Sequence, residues 1–112
     1  MENCIFCKII CGKIPSEKLY EDKDMIIIKD ISPQAPVHLL MIPREHYANV
    51  GEINDKQAVT LGRCIKKLSD FARESGIESF RIISNSGAEA CQSVEHLHIH
   101  LLAGRQLEGK MG

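Results

Sequence analysis

Near the end of this chain the sequence reads VEHLHIHLLAGRQ, residues 94 to 106, where three of the five histidines occupy alternate positions. Alternation is the period of a β-strand. It places His96, His98 and His100 on one face and Leu97, Ile99 and Leu101 on the other. The segment therefore demands a sheet with one apolar side and one side carrying a row of imidazoles.

Three uses of that row compete. A solvent-facing polar surface explains a single histidine, but it is a poor account of three in register, because β-branched or aromatic residues pack a strand better. A metal site is limited by reach. His96 and His100 lie roughly 13 Å apart along an extended chain, whereas zinc holds each nitrogen at about 2.0 to 2.1 Å, so one ion suits two neighbours and leaves at least one imidazole over. The third use is nucleophilic. Imidazole, with an unperturbed pKa near 6.5, is largely uncharged at neutral pH and competent toward phosphorus, and a covalent intermediate splits a slow displacement into two faster steps. The central residue, His98, is the natural nucleophile, with its neighbours free to hold a tautomer, touch phosphate oxygens or protonate a leaving group.

The remaining pattern describes an α+β chain. The start, ENCIFCKIICGKIP, reads as a cysteine-containing turn or short helix stopped by Gly12 and Pro15. EKLYEDKDMIIIKD reads as two strands joined at a polar turn, ISPQAP as irregular chain, and VHLLMIP as a strand that starts near His38 and is stopped by Pro43. From Asn54 the period changes: Ala58, Leu61, Ile65, Leu68 and Ala72 mark an amphipathic helix with Asn54 as N-cap, Gln57 at the capping-box position and Gly76 at the stop. SFRIISN reads as a strand, SGAEACQS as a small-residue loop, and GRQLEGKMG as a loosely held tail. Consecutive strands around one long helix predict a mostly antiparallel sheet.

The 112 residues suit a single domain, 1–112, large enough to bury a core without covalent staples. A net charge of −1 excludes a polyanion-coating surface, so no nucleic acid is expected, although a few N–H groups can still hold a small phosphate. No apolar run is long enough to cross a membrane, and Met1 is followed by polar ENC, which predicts a cytoplasmic protein. Five cysteines, with Cys4 and Cys7 too close in sequence to staple a core, point away from a disulfide framework. The C-x-x-C pair suits a zinc site better than a redox pair, which normally ends a strand in a βαβ unit. A zinc needs two further ligands: His46 is the one otherwise idle histidine, and any member of the alternating row supplies the fourth.

HLHIHLL, the preceding NSGAEACQSVEH, and DISPQAPVHLLMIPREH together resemble the histidine triad (HIT) superfamily, in particular its Hint branch, from about Cys4 to Gln106. The resemblance implies a HIT-like fold with one long helix and a short N-terminal helix. It implies that His98 attacks the α-phosphate, that His38 is a fourth active-site histidine, and that His100 contacts phosphate and orients the nucleophile. Ser93 then bonds phosphate or leaving group. Asp30 receives the ribose hydroxyls, Ile31 lies against the base, Asn85 precedes the phosphate loop, and Gln92 with Ser93 presents N–H groups to phosphate. The resemblance further assigns Cys4, Cys7, His46 and His96 to a structural Zn2+, and implies a homodimer with a sheet continued across the interface. Two departures stand out. Cys91 replaces the usual glycine in the nucleotide loop, which alters the backbone there if the position requires φ > 0. The tail also lacks the tryptophan and diproline that often close Hint chains. The function implied is a purine nucleoside phosphoramidate hydrolase, with AMP as the type of nucleotide bound. The alternatives are a dinucleoside polyphosphate hydrolase or nucleotidyl transferase, and a catalytically quiet nucleotide-binding regulatory protein.

Overall fold

The structure is a computed structural model that describes residues 3–109. A short helix α1 (Ile5–Ile10) is followed by β1 (Tyr20–Glu21), β2 (Met25–Lys29), β3 (Val37–Pro43), the long helix α2 (Asp55–Glu74), β4 (Arg81–Ile83) and β5 (Ile99–Ala103). The five strands form one antiparallel sheet in the order β1-β2-β3-β5-β4, as the α+β pattern predicts.

Strand alternation sorts the core onto two faces. Met25 and Ile27, Leu39 and Met41, and Leu97, Ile99, Leu101 and Ala103 pack with Leu61, Cys64, Leu68 and Ala72 of α2. Their neighbours Ile26, Ile28, Leu40 and Ile42 pack with Cys4, Phe6 and Ile9 of α1. The sheet is thus enclosed between two unequal helices, and the even-numbered histidines belong to the α1 side. The capping box of α2 is complete: Gln57 N–H donates to Asn54 Oδ1 at 2.8 Å, and Asn54 N–H donates to Gln57 Oε1 at 3.0 Å.

Three expectations are corrected. The buried stripe of α2 runs through Leu61, Cys64, Leu68 and Ala72, with Ile65 half-buried and Ala58 exposed, because the first turn carries the cap and the apolar face begins at Leu61. The strand at the histidines is shorter than the alternation suggests. β5 begins at Ile99, opposite Met41, and the next ladder positions would face Ile42 and Pro43. Pro43 has no N–H to offer, and its carbonyl is taken by His96 Nε2 at 2.7 Å, so residues 96–98 do not continue the ladder; His96 lies in a bend and Leu97 N–H donates to Tyr47 O at 2.8 Å. The tail is held at least as far as Glu108, whose carbonyl accepts from Arg81 Nη2 at 2.7 Å; residues 110–112, at the end of that tail, and Met1 and Glu2 lie outside the described residues.

The β1–β2 turn is fastened to α2 by charge. Lys67 Nζ lies 2.6 Å from Asp22 Oδ2 and 3.0 Å from Asp24 Oδ2. Burial opposes ionisation of Asp22, but Lys67 and the N–H groups of Asp24 and Met25 outweigh it and hold the carboxyl down to about 2. Asp24 is lowered chiefly by Lys67. Carboxyls with depressed values stabilise the fold above their unfolded value, and that contribution disappears as pH falls through the folded value. Acid unfolding between about pH 4 and pH 2 is therefore expected to flatten in Lys67→Met, which starts less stable and loses less on acidification. Melting temperatures measured across that range check this; parallel curves for the two proteins would contradict it.

Candidate active site and metal centre

Two clusters share the α1 face of the sheet. In the first, the ligand atoms of Cys4, Cys7, His46 and His96 all lie within 4.8 Å of one another. His96 Nδ1 is 3.3 Å from Cys4 Sγ and 3.5 Å from Cys7 Sγ, and His46 Nδ1 is 3.3 Å from Cys7 Sγ. A tetrahedral zinc with ordinary bond lengths separates sulfur from nitrogen by about 3.6 Å, so the set fits without rearrangement. The tautomer fits as well. His96 Nε2–H donates to the Pro43 carbonyl, which leaves the Nδ1 lone pair facing the two thiols, the outer-sphere arrangement that orients metal-bound histidines. Burial, with the neighbouring imidazoles, pushes His96 down to about 4, so the ring is neutral, as a ligand must be.

α1 exists to deliver this set. Cys4 is its N-cap and its sulfur accepts from Cys7 N–H at 3.4 Å, so one turn of helix carries both thiols to the same side. Between them, Phe6 stands edge-on to His96 with ring centroids 5.9 Å apart and to His98 at 5.0 Å. No periodicity argument singles out Phe6; its place between two ligands in CIFC is the only sequence signal.

The second cluster is a chain of hydrogen bonds with assignable protons. Gln34 N–H donates to His38 Nδ1 at 2.9 Å, which leaves the His38 proton on Nε2. His38 Nε2–H then donates to His100 Nδ1 at 2.8 Å, so His100 carries its proton on Nε2. Burial, followed by the adjacent His98 and His38 rings, lowers His100 below the usual imidazole range. His98 Nδ1–H donates to the His96 carbonyl at 2.8 Å. Its Nε2 therefore carries the free lone pair, and the His98 and His100 rings meet edge-on with centroids 5.0 Å apart.

A cavity of about 380 Å³ opens over these rings, lined by Ile5, Phe6, Ile9 and Ile28 on its apolar side and by Asp30, Ser93, His98 and His100 on its polar side. Ile31 stands fully exposed at the mouth. An adjoining hollow of about 340 Å³ brings Asn85 and Cys91 beside His38 and His100. Every residue expected from the sequence at the nucleotide site thus borders one of these two spaces except Gln92. Gln92 acts as a brace: its N–H donates to Gly87 O at 3.1 Å, its Oε1 accepts from Gly87 N–H at 2.8 Å, and its Nε2 reaches Ala48 O and Val94 O at 2.6 and 2.9 Å. The N–H expected to face phosphate is therefore used inside the loop, and Ser93, exposed and without a hydrogen bond among the described residues, is the donor left facing the cavity. Cys91 takes φ 64, ψ 33, the only positive φ outside glycine among the described residues. The position does require a left-handed residue, and cysteine adopts it at a cost of about 1–2 kcal/mol.

Sequence reasoning also missed Gln34 and Arg105. Both act where sequence gives no warning: Gln34 through its N–H on His38, Arg105 through a 3.3 Å bond from Nη2 to Gln34 O.

Residues 3–112 match the family model described as the scavenger mRNA decapping enzyme C-terminal binding domain. The chain is 40% identical to an adenylylsulfatase HINT1 of Arabidopsis thaliana, over 96% of this chain and 76% of that one. It is also 40% identical to a 14 kDa zinc-binding protein of Brassica juncea, over 96% and 98%. A solved structure of a HIT family hydrolase from Clostridium thermocellum is 49% identical and superposes with a TM-score of 0.94, covering 99% of this chain and 98% of that one. The chain belongs to the histidine triad superfamily. The row of imidazoles His96, His98 and His100 is that superfamily's defining feature, and the structure supplies the fourth histidine, His38, beside it.

The metal centre gives a direct test. One equivalent of Co2+ per chain is expected to produce the ligand-field bands of a tetrahedral thiolate site, and Zn2+ at 100 times its dissociation constant to stabilise the fold by about 2.7 kcal/mol. Cys4→Ser combined with Cys7→Ser removes both effects. Equal melting temperatures with and without a chelator would contradict a structural metal.

Proposed function

We propose that this chain is a purine nucleoside phosphoramidate hydrolase working through a nucleotidyl-histidine. The observation that carries the reading is the His98 tautomer: Nδ1–H is committed to the His96 carbonyl, so Nε2 presents its lone pair to the cavity. The superfamily supplies the reaction class, and the HINT1 relative is named for hydrolysis of a nucleotide's phosphosulfate bond.

In the first step His98 Nε2 forms a bond to the α-phosphorus as the P–N bond breaks, and the departing nitrogen takes a proton to leave as amine or ammonia. Ser93 Oγ is a hydroxyl on the cavity wall next to Val94 and His98 and, with the imidazole chain, relays that proton. His100 Nε2–H and Ser93 N–H face the phosphate oxygens and oppose their growing charge. In the second step water attacks phosphorus, the N–P bond to His98 breaks, and the nucleoside monophosphate is released. Asp30 receives the ribose diol, and Ile5, Phe6, Ile9 and Ile31 enclose the base. Zinc, held by Cys4, Cys7, His46 and His96, would fix α1 and the residue 46 turn against the start of the histidine row; it has no part in the chemistry.

The same nucleophile serves a phosphosulfate or a phosphoanhydride, whose leaving groups depart without a proton. Ser93→Ala is thus expected to slow release of ammonia from adenosine 5′-phosphoramidate more than release of sulfate from adenylyl sulfate. His98→Ala removes turnover of both by on the order of 10³-fold or more, with an unchanged melting temperature. Retained turnover in His98→Ala would overturn the assignment. AMP binding without turnover of any of these substrates would favour a quiet nucleotide-binding module.

Assembly belongs to the same proposal. β4 is a sheet edge, with Ile82 exposed on it and Phe80 exposed just before it, which supports a homodimer that continues the sheet.

A further inference from the structure

Asp30 sits where sugar recognition and proton relay meet. Its N–H donates to the His38 carbonyl at 2.9 Å, which registers it directly against that histidine. Its Oδ1 accepts from Ser32 N–H at 2.7 Å. Its other oxygen, Oδ2, lies 3.3 Å from His38 Nε2, the same atom that donates to His100 Nδ1 at 2.8 Å. Gln34 N–H occupies His38 Nδ1, so the single proton of His38 is on Nε2, donated to His100 Nδ1 with the charge of Asp30 Oδ2 beside it. Among the described residues no lysine or arginine pairs with this carboxylate, so nothing else neutralises it.

We infer that Asp30 couples occupation of the ribose site to the His38–His100 relay, so that the sugar's diol sets the rate of the chemical step as well as the affinity. The inference rests on the reading of Asp30 as the ribose acceptor. When two vicinal hydroxyls donate into the carboxylate, one of them takes up the negative charge on Oδ2 that otherwise draws the His38 proton. The Nε2–H of His38 is then left to His100 alone. That bond shortens, His100 is held more firmly as an Nδ1 acceptor and Nε2–H donor, and its proton is better placed on the phosphate. A 2′-deoxy sugar has one hydroxyl fewer and leaves Oδ2 shared with His38. Uniform binding of the diol raises KM alone when a hydroxyl is lost, whereas coupling to the relay also lowers kcat.

The test compares adenosine 5′-phosphoramidate with its 2′-deoxy analogue on the full chain. The 2′-deoxy substrate is expected to show a higher KM and a kcat about fivefold lower, the effect of one redistributed hydrogen bond. In Asp30→Asn the kcat difference between the two sugars disappears. Equal kcat values with a difference confined to KM would overturn the coupling while leaving the hydrolase assignment intact. Failure of both substrates to turn over would count against the hydrolase reading, and a second measurement judges the coupling without catalysis. Adenosine, which has no phosphate, is expected to shift the Nε2–H and Nε2 resonances of His38, and 2′-deoxyadenosine to shift them less. No change at His38 at any adenosine concentration up to its solubility limit overturns the coupling.

Discussion

One residue connects the two halves of this site. The imidazole of His96 turns its Nδ1 to the Cys4 and Cys7 sulfurs, while its main-chain carbonyl accepts the Nδ1–H of His98 at 2.8 Å. Without that acceptor the proton of His98 would be free to reside on either nitrogen, and half of the tautomers would present a donor where a lone pair is required. A buried carbonyl also demands a partner, so leaving this bond unmade costs about 1–3 kcal/mol. The bond therefore fixes both the ring and the tautomer of His98, and it ties them to the residue whose side chain faces Cys4 and Cys7.

The sheet makes this economical. Its α2 face is closed by a long helix and forms the larger of two core clusters, with Met25, Met41, Leu68 and Leu101 among its most buried members. On the other face the six-residue α1 covers Ile26, Ile28, Leu40 and Ile42 with Phe6 and Ile9, and its two cysteines lie beside His46 and His96. Phe6 is the common wall. It packs against the ligand His96 and against His98, and it lines the cavity in which a base would lie. Phe6 thus links the position of α1 to the floor of the cavity by the same contacts.

The sequence made the imidazole row, the C-x-x-C pair and the capped helix legible because each is a short-range pattern with few physical meanings. The ligand set of Cys4, Cys7, His46 and His96, and the company of His38 with His100, came through resemblance, and the structure brings each group within bonding range. What escaped was carried by the main chain. The Pro43 carbonyl on His96, the Gln34 N–H on His38 and the early start of the histidine segment before β5 depend on atoms that every residue possesses. Gln92 shows the same from the other side: its N–H, expected to face phosphate, donates to Gly87 O, and its side-chain amide holds the loop itself. Cys64 takes the fully buried place expected for Ile65 because a helical stripe shifted by one position keeps nearly the same period.

The claim on which the mechanism turns is that the free lone pair of His98 Nε2 attacks phosphorus. It is tested most directly by quenching the reaction with adenosine 5′-phosphoramidate within a turnover and mapping the adenylyl group by mass spectrometry and phosphorus NMR. The account predicts an acid-labile adduct on Nε2 of His98, with retention of configuration at phosphorus over the whole reaction. Attachment at His98 Nδ1 or at another residue, or inversion with no adduct, would contradict it.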